Sequence, residues 1–184
     1  MTITDHHAAL TELVARSAIS DRMSAYLDSC DVSKDADEIA GHFTFDGIWE
    51  GVGRNVEFGR AQGTAAIAAL FADVPQRQPF TVHYLTNPRI EIDGNVAVGR
   101  WLCFEPSTIR QGTMPVWIGL RYEVDFREVQ NSWLIAHLRC DTLFATPYDI
   151  GWGKEMFTAV TATEPRTSTP DPVGHQSPFT PSED

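Results

Sequence analysis

The chain has 184 residues, 42% hydrophobic and 21% charged, which fits one soluble globular domain and excludes collagen-like, fully disordered and disulfide-scaffold classes. Its 14 basic residues stand against 25 acidic ones, for a net charge of −11. A surface of that sign repels phosphate backbones and anionic lipid, so neither nucleic acid nor a membrane is expected as a partner.

The N-terminus, Met-Thr-Ile-Thr-Asp-His-His, has neither the basic start nor the apolar stretch of a secretory signal. From about Asp5 to Cys30, residues Leu10, Leu13, Val14, Met23, Tyr26, Leu27 and Cys30 recur near helical spacing and predict one helix with a buried stripe. A short second helix follows, with Asp35 as cap, Glu38 in the capping-box position and Gly41 at its end. His42 to Trp49 alternates as a first strand. Thr64 can cap a third helix, with Ala65, Ile67, Ala68 and Phe71 turned inward and Pro75 closing it.

Beyond that point the period becomes two. Phe80–Leu85, Arg89–Ile92, Val96–Phe104, Val116–Arg127 and Ser132–Phe144 predict strands. Turns are expected at Asp93-Gly94-Asn95 and Gln130-Asn131. Helices first and hairpin-linked strands last argue for α+β. Val116, Ile118, Leu120, Tyr122, Val124 and Phe126 share one face, as do Leu134, Ala136, Leu138, Cys140, Thr142 and Phe144. A curved sheet folded over the helices turns these faces inward, and leaves Trp117, His137, Arg139 and Asp141 outside. From Thr158 the chain is rich in Pro, Ser and Thr, so residues 1–157 are read as the folded domain and 158–184 as a disordered tail or an arm. Cys30, Cys103 and Cys140 are odd in number and fall in helix or strand patterns, which suits reduced thiols in a cytoplasm. No apolar run approaches the ~20 residues of a membrane helix.

The chain contains no phosphate loop, no Cys-x-x-Cys, no His-x-x-x-His and no Gly-x-Ser-x-Gly. No metal and no cofactor is therefore expected. Asp31 stands out because it shares a helix face with Tyr26, Leu27 and Cys30. A carboxylate on a buried face must be paired, hydrogen-bonded or protonated. It either bonds a loop amide just past the helix or belongs to a site. His83 lies mid-strand among bulky apolar neighbours, where a histidine is either a satisfied core residue or a base. A carboxylate that fixes its tautomer would make it the latter.

Arg-Ser-Ala-Ile-Ser-Asp at 16–21, Tyr26-x-x-x-x-Asp31, Val82-His83-Tyr84-Leu85-Thr86-Asn87, Gly99-Arg100-Trp101, and Trp133 onward to Ala145-Thr146-Pro147 carry a resemblance. Over about Glu12 to Pro147 the chain resembles nuclear transport factor 2-like, or SnoaL-like, proteins. Within them it is most similar to the lyases scytalone dehydratase, bile acid dehydratase and hexachlorocyclohexane dehydrochlorinase. The resemblance implies a cone-shaped sheet, mixed or antiparallel, wrapped over three N-terminal helices and enclosing an apolar cavity. It implies a His83/Asp31 dyad with Tyr26 as a further catalytic group, and cofactor-free elimination from a small, ring-containing hydroxylated substrate. Trp49, Trp101, Tyr122, Phe126, Leu138, Cys140 and Phe144 would line the cone, and Tyr26 or Tyr122 would donate to the departing hydroxyl or polarise a carbonyl. The arginine that some relatives carry on the inner face of the last strand has no counterpart, since Arg139 faces outward. The trimeric habit of similar lyases and the outward strip of Trp117, His137, Arg139 and Asp141 make a homotrimer the expected oligomer. The same dyad also suits isomerisation, cyclisation or aldehyde-releasing carbon–carbon cleavage. A non-catalytic module for ligand binding or assembly is the alternative from another class.

Overall fold

The computed structural model describes residues 3–160. Helix α1, Ile3–Asp28, runs directly into a π-helical turn, Ser29–Ser33. Its buried residues are Ile19, Met23, Tyr26 and Leu27. Leu10, Leu13 and Val14, expected on that stripe, are each at least 60% exposed. Packing starts only at Ala15 and Arg16, where the Arg16 guanidinium binds Glu12 and the carbonyl of Ile90. Further along, the Arg22 guanidinium donates to the Trp133 carbonyl at 2.7 Å and contacts His42 Nδ1 at 3.1 Å. That clamp ties the helix to the sheet beside the buried Met23, whose burial alone is worth about 2 kcal/mol.

Helix α2, Ala36–Gly41, is capped by Asp35, whose carboxylate accepts from the amides of Asp37 and Glu38. Glu38 does not close the capping box; it accepts from Ser29 Oγ instead. Strand β1, Phe43–Val52, leads through a 3₁₀ turn, Gly53–Phe58, to strand β2, Arg60–Gln62. Helix α3 is Thr64–Phe71 and helix α4 Val74–Arg77. Gly63 at φ +84° precedes α3, and Thr64 opens that helix without capping it. Ile67 is buried, whereas Ala65 is exposed rather than inward.

Five further strands complete the domain: β3 Phe80–Thr81, β4 Tyr84–Asp93, β5 Val96–Ile109, β6 Met114–Val129 and β7 Ser132–Pro147. The sheet order is β2-β1-β7-β6-β5-β3, with β4 also paired to β5. Every pairing is antiparallel except β1 with β7. The β6–β7 hairpin turns on Gln130 and Asn131, both left-handed at φ 51° and 60°, as a twist-compatible two-residue turn demands.

The expected inward face of β6 is buried throughout. On β7 the alternation breaks twice. One extra residue, Ala136, lies between the pairs Asp125↔His137 and Phe126↔Ile135, and Leu143 lies between Leu120↔Thr142 and Gly119↔Phe144. Each bulge shifts the alternation by one and bends the strand. Trp133 and Ile135 are therefore buried at the start of β7 in place of the expected Leu134 and Ala136, and Phe144 leaves the inner face. Its ring fills the space that a Gly119 side chain would take, and packs on Trp152.

The α+β cone of the sequence reading is thus present, with the helices on the concave side of a curled sheet. Outside it, Arg139 pairs with Asp125, His137 with Glu50, and Trp117 stacks on Phe104. No described helix is long and apolar enough to cross a membrane. Met156 and Thr158 bond Ala145 of β7 and Val160 packs against the core, so residues just past Phe157 still contact the domain. The remainder of the expected tail lies outside the described residues.

Candidate active site

Two irregular backbone segments bring the titratable groups together. The π turn closes with the Lys34 amide on the Ser29 carbonyl at 2.8 Å, and Lys34 itself is left-handed at φ 52°. Such wide turns re-aim side chains relative to a regular helix. Here the turn directs Asp31 towards β3. The second irregularity is a gap in the expected strand. Thr81 and Tyr84 pair with β5, while Val82 and His83 between them belong to no strand. His83 is thus not mid-strand, and its amide and its ring are both free to meet Asp31.

The resulting contacts are short. Asp31 Oδ1 accepts from His83 Nδ1 at 2.6 Å and from Thr81 Oγ1 at 2.8 Å, and Asp31 Oδ2 accepts from the His83 amide at 2.8 Å. Lys34 Nζ donates to Thr81 Oγ1 at 2.9 Å, orienting that hydroxyl as a donor towards Asp31. Burial on its own would raise the Asp31 pKa, but the hydrogen bond and charge of His83, its amide and the Thr81 hydroxyl outweigh it and hold the carboxyl below its ordinary value. An ionised Asp31 on Nδ1 places the ring proton there and leaves Nε2 as the free nitrogen. His83 is pulled down by burial, yet the charge of Glu105 and the bond and charge of Asp31 prevail, so its pKa is raised.

Glu105 carried no signal in the motif reading. It occupies the inward register of β5, between buried Cys103 and Ser107, and is 4% exposed. Its Oε2 lies 3.5 Å from His83 Nε2, and its Oε1 accepts from Gln78 Nε2 at 2.7 Å. Burial raises its pKa despite the opposing charge of His83. An acidic residue on an otherwise apolar strand face was the sequence feature that could have revealed it.

These groups border a cavity of about 110 Å³. Tyr26, Trp49, Tyr122, Cys140 and His83 line it, as do Glu105, Asn55 and the apolar Ile39, Phe58, Phe71, Ile118 and Leu120. Asp31 does not line it and reaches the space only through His83. Trp49 Nε1 donates to the Tyr26 hydroxyl at 3.1 Å. Burial drives both the Tyr26 and the Tyr122 pKa well above the ordinary value, so both remain neutral hydroxyls. Asn55 contacts Cys140 Sγ at 3.2 Å and accepts from the Thr142 hydroxyl.

The other expected lining residues lie elsewhere. Trp101 packs edge-on against Phe126 and over Gly99, and Leu138 is fully buried. These three fill the cone as solid core. Phe144 has crossed to the outer face, carried by the bulge at Leu143. Among the described residues no cluster of three or more His, Cys, Asp or Glu is arranged to hold a metal.

Comparison with known proteins gives the fold the same placement. A solved structure of a candidate aromatic ring hydroxylase from Novosphingobium aromaticivorans is 26% identical, with a TM-score of 0.65, covering 72% of this chain and 92% of its own. A candidate scytalone dehydratase from the same organism is 19% identical, with a TM-score of 0.68 and coverage of 76% and 91%. A hexachlorocyclohexane dehydrochlorinase from Novosphingobium barchaimii is 22% identical, with a TM-score of 0.65 and coverage of 76% and 93%. No curated protein matches. The model of the SnoaL-like domain matches residues 11–139, well over half of the chain and the whole segment that carries Tyr26, Asp31, His83 and Glu105, so the chain belongs to the SnoaL-like family.

Proposed function

We propose that the protein is a cofactor-free lyase that eliminates water from a small, ring-containing hydroxy-ketone. The observation that carries this reading is the 2.6 Å bond from His83 Nδ1 to Asp31 at the wall of an apolar cavity. Asp31 fixes the tautomer and stabilises the imidazolium that forms when Nε2 takes a proton. A cavity of about 110 Å³ is somewhat smaller than the ~150 Å³ space known to hold a benzene ring, so the substrate is a single small ring or one that enlarges the site on entry. Tyr26 and Tyr122, held neutral by burial, serve as donors to a substrate carbonyl as the neighbouring C–H is broken. This low-dielectric setting strengthens each of those bonds.

The same reading assigns a homotrimer built on the outer sheet face, where Leu102 and Phe104 stay 39% and 37% exposed beside Trp117. A monomer in light scattering at micromolar concentration would remove that part. The function itself is tested by screening cyclic hydroxy-ketones for loss of water by mass spectrometry, with a chelator present throughout. His83→Ala should lower turnover by roughly 10²–10⁴-fold, the usual worth of a positioned base. Near-normal turnover in that variant, with its fold intact by circular dichroism, would make the histidine structural and the protein a binding module.

A further inference from the structure

His83 is flanked by two carboxylates, Asp31 at Nδ1 and Glu105 at Nε2. Glu105 faces the other nitrogen across 3.5 Å from within the cavity wall. Its surroundings differ from those of Asp31. Asp31 is met by three donors, whereas Glu105 has the Gln78 amide on Oε1 and the Ser107 hydroxyl beside it, and its Oε2 faces His83 Nε2. Gln78 is itself held in place by donating to Ser107 Oγ, which in turn donates to the Phe80 carbonyl. Glu105 is therefore held in place with one oxygen turned towards the ring.

We propose that Glu105 is a catalytic residue, the general acid that protonates the departing hydroxyl and then recovers its proton from His83. This rests on the elimination reading above. In the step, the substrate C–H bond breaks and its proton passes to His83 Nε2, while its electron pair becomes the new C=C bond. The C–O bond breaks with its electrons on oxygen, and that oxygen takes the proton of the Glu105 carboxyl and leaves as water. His83 is now an imidazolium and Glu105 a carboxylate. Transfer of the proton from Nε2 to Oε2 restores the starting pair, so the net change is one enone and one water from one hydroxy-ketone. With Nε2 and Oε2 3.5 Å apart, the two groups would meet adjacent ring carbons from the same side. A carboxyl whose pKa burial raises suits this role better than the two tyrosines, whose hydroxyls burial makes still weaker acids.

The active pair holds one proton, so its pH profile is a bell whose two limbs belong to the pair. The test uses wild type, Glu105→Gln and His83→Ala with two probes, 3-hydroxycyclohexanone and 3-acetoxycyclohexanone. Acetate departs without a proton and hydroxide does not. Glu105→Gln should lose roughly 10²–10⁴-fold on the hydroxy-ketone and less than about tenfold on the acetate. It should also lose the alkaline limb of the profile. His83→Ala should fail on both. Equal loss on both probes, or on neither, in Glu105→Gln overturns the proposal. A selective loss in Glu105→Gln with an active His83→Ala would instead sink the dyad and leave the acid standing. Nitrogen-15 NMR titration of His83 serves as the readout without substrate, and decides the matter if wild type turns over neither ketone. Two titration steps in wild type that become one in Glu105→Gln support the shared proton, and identical titrations refute it.

Discussion

Asp31→Asn removes one charge and converts one carboxylate oxygen into an NH₂ group, and the surrounding donors leave that group no good orientation. If the amide oxygen takes the Oδ1 place, facing His83 Nδ1 and Thr81 Oγ1, the NH₂ meets the His83 backbone N–H, donor against donor. If the side chain flips, the oxygen satisfies that amide but the NH₂ confronts Nδ1. The imidazole must then accept there, and its proton moves to Nε2, where the base should be empty. Either arrangement damages the catalyst: the first by removing the counter-charge of the imidazolium, the second by also selecting the wrong tautomer. The expected loss in turnover is roughly 10²–10⁴-fold.

Stability falls as well. A lone buried carboxylate would be relieved by amidation, but Asp31 is held below its ordinary pKa by its donors, so the fold favours the charge. One donor left without a partner costs roughly 1–3 kcal/mol. Each kcal/mol shifts the melting temperature by roughly 2–4 °C in a domain of this size. Steady-state kinetics, thermal melts and the double variant with His83→Ala make the assay. Residues that act as a unit are not additive, so the double variant should be little slower than His83→Ala alone. Multiplied losses, or Asp31→Asn with wild-type turnover and a higher melting temperature, would refute the reasoning.

Two further outcomes are expected. Asp31 has a lowered folded pKa, so its contribution to stability is present above the usual carboxylate value near ~3.9 and is lost as pH falls through the folded value; His83 has a raised one, so its contribution is present below ~6.5 and is lost as pH rises through the folded value. Glu105 is raised as well, so its contribution is present below ~4.3 and is lost as pH rises; melting temperature should therefore peak in the lower part of the range from about pH 4 to 6.5, and His83→Ala should flatten part of the alkaline side. Gly119→Ala would place a Cβ 2.2 Å from the Phe144 ring, so the ring must move off the outer face. Overpacking of this kind costs about 1–3 kcal/mol, read from chemical denaturation, with His83 chemistry unchanged.

The regular parts of this fold were legible because their periodicity reports burial directly. Strand β6 alternates without interruption over six inward residues, and the Asp35 cap and the Gln130-Asn131 turn declare themselves by residue type. The misses share one cause. Leu10, Leu13 and Val14 keep helical spacing, but the sequence does not say where the sheet begins beneath the helix. Bulges at Ala136 and Leu143 each add one residue, and no local preference marks them, so an alternation anchored on Leu138, Cys140 and Thr142 slips by one before Ala136 and again after Leu143. Phe144 was lost to the cavity in this way. Trp101, Phe126 and Leu138 were assigned to the correct face, but depth along the cone is a tertiary quantity that alternation does not carry. Asp31 was visible as a polar residue on an apolar stripe. Glu105 lies one residue past the expected end of its strand at Phe104, whereas β5 runs on to Ile109, so its place on the inner face was not legible.

The site groups enter the cone where regular structure stops. Asp31 comes from the π turn, His83 from the gap between β3 and β4, and Asn55 from the 3₁₀ turn after β1. A regular strand would have spent the His83 amide on its neighbour, whereas here that amide binds Asp31 Oδ2 and fixes carboxylate and imidazole from the same residue. Two chemically similar carboxyl groups then acquire opposite characters from their surroundings alone. Asp31, ringed by donors, is held as an anion; Glu105, more deeply buried, is pushed towards its neutral acid. Environments that separate two pKa values around a shared histidine are what allow acid and base to coexist in a single site. Because the separation comes from burial and from the donors around each group, exchanging the two side-chain types would not exchange the roles: Asp31→Glu should still be ionised, and Glu105→Asp still raised, though the first would overshoot the ring by one methylene and the second would fall short of it.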